Sequence, residues 1–264
     1  MGPILFLLYI NDLNTCVEHS FLSSFADDTR IMKEIRKVTD VDCLQADLNA
    51  SVQWSKHNNM KLHTSKFEYL CHVTNTSKAL KVLPFSSQYY QYTTSDGSVI
   101  TPTHMVRDLG INIVPDLSWS PHINIITDSA RKMSAWCLSI FSDRSVNTML
   151  LLYKSLIRSK IEYCCPLWDP SKMEDIITLE GVQRSFTSKI TSISHLHYYD
   201  RLKSLKLMSL QRRRERYAIL MVYKILHNIS PNDIGLEFAH SGRRGIQAKV
   251  PKINTEAKLR YSSL

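Results

Sequence analysis

The chain has 264 residues, of which 44% are hydrophobic, and it carries 33 lysines and arginines against 24 acidic residues. That is enough apolar chain for one large or two modest domains with real cores. With only 7 glycines and 9 prolines it is neither collagen-like nor wholly disordered. No GxGxxG and no GxxxxGK followed by Ser or Thr occurs, so the usual dinucleotide and P-loop signatures are excluded.

The opening run Gly2-Pro3-Ile4-Leu5-Phe6-Leu7-Leu8-Tyr9-Ile10 predicts a helix. Pro3 suits a first turn, and apolar residues nearly all round imply an element buried on several sides. The run stops at Asn11-Asp12, far short of a membrane span, and it has no basic n-region or small-residue cleavage site, so a buried element rather than a signal peptide is expected. Phe21–Ala26 and Thr29–Met32 then read as two short strands joined at a tight turn by Asp27-Asp28. Residues 40–58 predict an amphipathic helix on Val41, Leu44, Leu48 and Val52, with Asp40 as N-cap. Phe67–Val73 predicts a strand. Residues 74–105, with Tyr89, Tyr90 and Tyr92, read as a loose hairpin or an irregular insertion, and Val106–Val114 as the last strand.

Beyond residue 120 the period becomes helical. Ile126, Ala130, Met133, Cys137 and Ile140 line one face; Met149, Leu152 and Leu156 a second. Ile176, Leu179, Val182, Phe186 and Ile190 line a third, and Leu210, Tyr217, Met221 and Ile225 a fourth. Residues 231–264 show weak periodicity. Six cysteines without a CxxC, Cys164-Cys165 being the one adjacent pair, suit reduced thiols in an intracellular protein.

Charge is unevenly placed. Residues 1–100 hold nine basic and ten acidic side chains, residues 101–200 ten of each, and residues 201–264 fourteen basic against four acidic. Such a local excess is a plausible footprint for a phosphate backbone. Within it, Arg212, Arg213, Arg214 and Arg216 fall on one helix but cannot share a face. They fit a phosphate-tracking surface or a helix-packing surface whose charges stay wet.

Asp27-Asp28 is the sharpest chemical feature. Two carboxylates at a hairpin tip offer hard oxygen ligands to Mg²⁺, which binds through one or two carboxylates and substrate phosphates. Adjacent residues on a strand point to opposite faces, so from spacing alone an exposed turn is the better account of the pair.

The strings Gly2–Leu13 and Phe25-Ala26-Asp27-Asp28-Thr29 resemble reverse transcriptases of non-LTR retrotransposons, of the jockey-like group. The resemblance continues in order through Trp54–Lys66, Leu109-Gly110-Ile111, Leu117–Ile123, Tyr153–Leu156, Glu162-Tyr163, Leu167–Pro170, Leu179–Arg184, Arg201–Leu205 and Tyr223–Leu226. It implies an α+β fold. Residues 1–117 would be a partial polymerase palm of helix and antiparallel β-hairpins, and residues 118–230 a predominantly α-helical thumb-like and connection-like region. Residues 231–264 would form a basic, weakly ordered tail.

The resemblance also implies roles. Asp27 would be the palm's metal-binding aspartate and Asp28 its less direct partner, both toward Mg²⁺. Phe25 stands where many such polymerases have tyrosine. Lys66 would lie near the incoming nucleotide's phosphates or support the palm, a solvated loop lysine being the plain alternative. Gly110 would belong to the hairpin that grips the primer end, or serve simply as a turn glycine. The implied partners are an RNA template and DNA primer, or an RNA–DNA duplex, with no membrane.

In the family a Gln-Gly pair, the fingers and the strand with the first catalytic aspartate lie upstream of a position equivalent to Met1-Gly2-Pro3. The expectation is therefore a truncated RNA-directed DNA polymerase, inactive alone and open to association with an upstream half. The alternative is a non-catalytic nucleic-acid-binding or structural helical domain. Asp12, Asp40, Asp42 and Asp47 are read as caps or solvated helical acids rather than the missing ligand.

Overall fold

The computed structural model describes residues 1–72, 91–94, 97–232, 238–241 and 245–248. The chain divides into two units, one of residues 1–108 and 114–117 and the other of residues 109–113 and 118–262. Its architecture is α+β: antiparallel β-hairpins and helices, followed by a helical region.

The first unit begins with α1 (Gly2–Ile10), which carries a proline in its first turn and runs into a 3₁₀ turn over Asn11–Cys16. β1 (Phe21–Phe25) and β2 (Asp28–Met32) pair antiparallel, from Phe21 opposite Met32 to Phe25 opposite Asp28. α2 (Val38–His57) follows. Ile10, Leu13, Leu22 and Trp54 form a small core, with Phe6, Val17 and Ile31 packed around it.

Several expectations fail here. α1 is not buried on several sides: Ile10 is buried, but Ile4, Leu5, Leu7 and Leu8 are each more than half exposed. A helix apolar all round presents an apolar outer face whichever side turns inward. Asp40 is not the N-cap either. It lies one turn inside α2, and its carboxylate accepts the backbone N–H groups of Arg36 at 2.7 Å and Lys37 at 2.8 Å. Those two bonds hold its carboxyl below the ordinary carboxylate range.

Asp47, expected to be a solvated acid, is buried and accepts the backbone N–H groups of Glu18 and His19, each at 3.1 Å. It ties the loop before β1 to α2. Phe67–Val73 is no strand over its described residues; Tyr69 makes a single parallel bridge to Pro102. Tyr92 is half-buried against Tyr69, ring centroids 5.2 Å apart, whereas Tyr89 and Tyr90 lie outside the described residues. The expected strand Val106–Val114 is broken into β3 (Val106–Asp108) and β4 (Ile111–Ile113) at Leu109-Gly110.

The second unit contains α3 (Ser120–Ile140), α4 (Val146–Leu152), α5 (Arg158–Glu162), α6 (Met173–Thr187), α7 (Tyr198–Ser204) and α8 (Leu210–Leu226). Pro121 opens α3, and the Ser209 hydroxyl caps α8 by accepting the Arg212 backbone N–H. Ile123, Met149, Ile157, Trp168, Leu179 and Phe186 are among its fully buried residues.

A π-helical turn over Tyr153–Ile157 joins α4 to α5. It shifts the helical phase by one residue. Tyr153, Ile157 and Ile161 therefore turn inward, while Leu156, expected on the buried face, is only partly buried. Within residues 231–264, β5 (Phe238–Ser241) and β6 (Gly245–Ala248) pair antiparallel.

A buried polar cluster joins four of these segments. The Tyr153 hydroxyl donates to Gln183 Oε1 at 2.5 Å, and Gln183 Nε2 donates to the Tyr198 hydroxyl at 2.9 Å and the Met208 carbonyl at 3.2 Å. One turn earlier on α6, Glu180 accepts the Tyr198 hydroxyl and, at 2.9 Å, the Leu210 backbone N–H. The π turn, α7 and the start of α8 are all fastened to one face of α6.

His122 is a second buried polar group. Its Nδ1 accepts the Asn112 backbone N–H at 3.2 Å, and its ring lies edge-on to Trp168 at 5.4 Å. Nε2 has no partner among the described residues. Burial pushes the imidazole pKa below its ordinary 6.5. The unfolded chain therefore binds the proton more readily, so this contribution is complete above pH 6.5 and declines as pH falls below it. We expect the urea midpoint to fall between about pH 7 and pH 5, and the His122→Gln variant to show a flatter profile over that window.

Candidate functional site

Three of the expected site residues share one end of the β1–β2 hairpin. Phe25 closes β1, Asp27 lies in the two-residue turn, and Asp28 opens β2 opposite Phe25. Ala26 takes a positive φ of 52°, which lets so short a loop reverse the chain. All three side chains are exposed. The turn is thus Ala26-Asp27, one residue earlier than the Asp27-Asp28 turn expected.

The donor chemistry suits Mg²⁺, but the arrangement does not fit a two-ion site. Two neighbouring carboxylates open to solvent cannot fix two ions, which need ligands converging from separate elements. Among the described residues no group of three or more His, Cys, Asp or Glu side chains could hold a metal. Lys66 ends a 3₁₀ turn over Thr64–Lys66 and is exposed.

In the second unit, Gly110 has a structural reason to be glycine. Its φ is +87°, and a Cβ there would stand 3.3 Å from Tyr163 Cε1. The Tyr163 hydroxyl donates to the Leu109 carbonyl at 3.0 Å, so the ring closes over the turn.

The arginines of α8 divide into two kinds. Arg213 reaches back to α5, where it makes a two-pronged ion pair with Glu162, and also donates to the Tyr217 hydroxyl at 2.6 Å. The hydrogen bond to Glu162 raises its pKa further. Arg158 also approaches Glu162, at 3.5 Å. Arg214, with its side chain 4% exposed, donates from Nε to Asp169 at 2.8 Å. Arg212 and Arg216 are exposed.

The expectation that Arg213 serves as a phosphate contact is therefore revised: its guanidinium is committed to Glu162. Neither Glu162 nor Asp169 is recognisable from sequence as an arginine partner, since they lie 51 and 45 residues away. Arg243, Arg244, Lys249, Lys252, Lys258 and Arg260 fall outside the described residues. The six cysteines are free, and burial pushes the Cys165 thiol up to about 11.

Three curated proteins bear on this arrangement. The chain is 24% identical over 199 residues to the probable RNA-directed DNA polymerase from transposon X-element of Drosophila melanogaster. It is 20% identical over 203 residues to the RNA-directed DNA polymerase from mobile element jockey of Drosophila funebris. Each match covers 72% of this chain and 21% of the polymerase, so the chain spans about a fifth of the length of these relatives. An uncharacterized protein of Caenorhabditis elegans, B0403.1, is 26% identical over 127 residues, 47% of this chain and 62% of that protein.

No family model matches, and no solved structure matches. The chain therefore has distant, partial similarity to reverse transcriptases of jockey-like non-LTR retrotransposons. Among the described residues, no helix is long and apolar enough to cross a membrane.

The two kinds of arginine give a direct stability test. Arg213→Gln leaves the mostly buried Glu162 carboxylate with Arg158 alone, at 3.5 Å, and is expected to cost about 1–3 kcal/mol. Arg212→Gln and Arg216→Gln, on exposed positions, should each change stability by less than about 0.5 kcal/mol. Denaturant midpoints at constant m-value measure all three.

Proposed function

We propose that this chain is the later palm and thumb portion of a non-LTR reverse transcriptase. In this reading Asp27 supplies one metal-binding carboxylate, with Asp28 and Phe25 beside it, and the exposed arginines of α8 hold an RNA–DNA duplex by its backbone. The observation that carries it is the hairpin with Asp27 exposed at its tip, in a chain with distant similarity to two such polymerases over about 200 residues.

On this reading the chain does not polymerise alone. The lone carboxylate pair supports that, because nucleotidyl transfer by two metals needs a further carboxylate from another element. Lys66 and Gly110 keep supporting roles, Lys66 as an exposed cation beside the palm and Gly110 as the residue that shapes its turn. The alternative, a non-catalytic nucleic-acid-binding domain, shares the duplex contacts and dispenses with Asp27.

Binding and extension assays on the full chain test the reading. Affinity for an RNA–DNA hybrid should fall steeply with salt, and Arg212→Gln and Arg216→Gln should each lower the slope of log K against log salt by about one. Asp27→Asn should leave binding unchanged. Primer extension in Mg²⁺ should be undetectable with this chain alone. Salt-independent binding would contradict the duplex role; extension abolished by Asp27→Asn would show a complete site where half of one is proposed.

A further inference from the structure

The second unit carries a shallow depression of about 470 Å³ lined by Arg184, His195, Leu196, His197, Tyr198 and Arg201. It lies at the end of α6 and the start of α7, and Arg212 and Arg216 do not line it. We infer that this depression binds a phosphate group, held by Arg184 and Arg201 with the two histidines as further donors.

The first support is the electrostatics of Arg201. It is buried, 7% exposed, and its guanidinium donates to three neutral acceptors: Thr187 Oγ1 at 3.3 Å, the Leu196 carbonyl at 2.8 Å and the Arg184 carbonyl at 3.2 Å. A guanidinium has five N–H donors. Arg201 makes no ion pair among the described residues, whereas Arg213 and Arg214 in the same unit each have a carboxylate. A buried charge without a counterion is costly, and an anion entering the depression would supply the missing charge.

The second support is convergence. The Arg184 guanidinium lies 4.9 Å from the centre of the Tyr198 ring and that of Arg201 5.6 Å from the same centre. One aromatic ring thus orients two like charges before any ligand arrives. Burial and the Glu180 hydrogen bond push the Tyr198 pKa upward, so the phenol stays neutral beside them. Glu180, the nearest acid to this ring, is committed to the Tyr198 hydroxyl and the Leu210 N–H and does not line the depression. Asp200 is exposed and does not line it either.

The lining chemistry selects the ligand class. Planar guanidinium groups match phosphate oxygens, and imidazoles add donors at the rim. Inorganic phosphate, a phosphate monoester and a nucleic-acid backbone all present these oxygens. The inference stands whether or not α8 holds a duplex, because it concerns a separate set of residues.

The test is a titration of the full chain with inorganic phosphate at constant ionic strength, followed by the NMR signals of arginine Nε–H and histidine ring groups. Saturable shifts should appear at Arg184, Arg201, His195 and His197. The Arg184→Gln/His197→Gln double variant should weaken binding roughly tenfold or more. Both side chains are exposed, and the Arg184 carbonyl that Arg201 needs is kept, so the variant should fold; its denaturant midpoint checks that. Arg131→Gln, on an exposed position of α3, should bind like the parent.

Absence of saturable shifts, or equal affinity in the double variant, would overturn the inference. Two competitors identify the source: displacement of phosphate by an RNA–DNA hybrid assigns the site to a nucleic-acid backbone, and displacement by a nucleoside monophosphate but not the hybrid assigns it to a free ester. Because the hybrid arm is read at Arg184 and Arg201 rather than at Arg212 and Arg216, failure here leaves the α8 reading standing, and the reverse.

Discussion

Gln183 and Glu180 make the second unit depend on one face of α6. The Gln183 amide uses its oxygen on Tyr153 and its nitrogen on Tyr198 and the Met208 carbonyl, while Glu180 takes the Tyr198 hydroxyl and the first free N–H of α8. In a low-dielectric interior, such a cluster is favourable only when every member is satisfied. It therefore fixes the phase of the π turn, the position of α7 and the starting point of α8 together. Leu179, Val182 and Phe186 provide the apolar packing along the same helix. Because α8 starts at a fixed point, each arginine that follows has a determined direction.

That direction sorts the basic residues by purpose. Arg213 and Arg214 turn inward and meet Glu162 and Asp169; Arg212 and Arg216, a helical turn apart, remain exposed. A charge run in sequence is thus half fold and half surface. Arg201 belongs to neither group, being buried and bonded only to neutral acceptors. The first unit is built more lightly, around a small core of Ile10, Leu13, Leu22 and Trp54, with Asp47 stapling the loop before its hairpin. Its α1 keeps an apolar outer face, and the hairpin tip with Asp27 is exposed.

The α+β order was legible because hairpin and helix periods differ so clearly. The β1–β2 pair and the inward face of α6 follow directly from residue spacing; on α3 spacing finds the buried Ala130 and Cys137, whereas Ile140 is exposed. What stayed hidden was set by tertiary context. The π turn alters the phase after Leu152 without any sequence marker, so spacing points to Leu156 where the structure buries Ile157. The bonds of Asp47 reach a loop 28 residues away, and the partners of Arg213 and Arg214 are more distant still. No spacing in the sequence links His195-Leu196-His197 to Arg184 and Arg201, which line the same depression through the turn between α6 and α7. For the candidate catalytic site the position of Asp27 at a hairpin was readable; its turn was misplaced by one residue because Ala26 adopts the positive φ.

The division of the α8 arginines into folding and binding groups is tested most directly by hydrogen–deuterium exchange of the full chain with and without an RNA–DNA hybrid. Added protection over residues 209–217, lost when Arg212 and Arg216 are both replaced by glutamine, is the predicted result. A hybrid that binds without changing exchange in that segment would contradict it, and would mean that the exposed arginines of α8 do not form the duplex-binding surface.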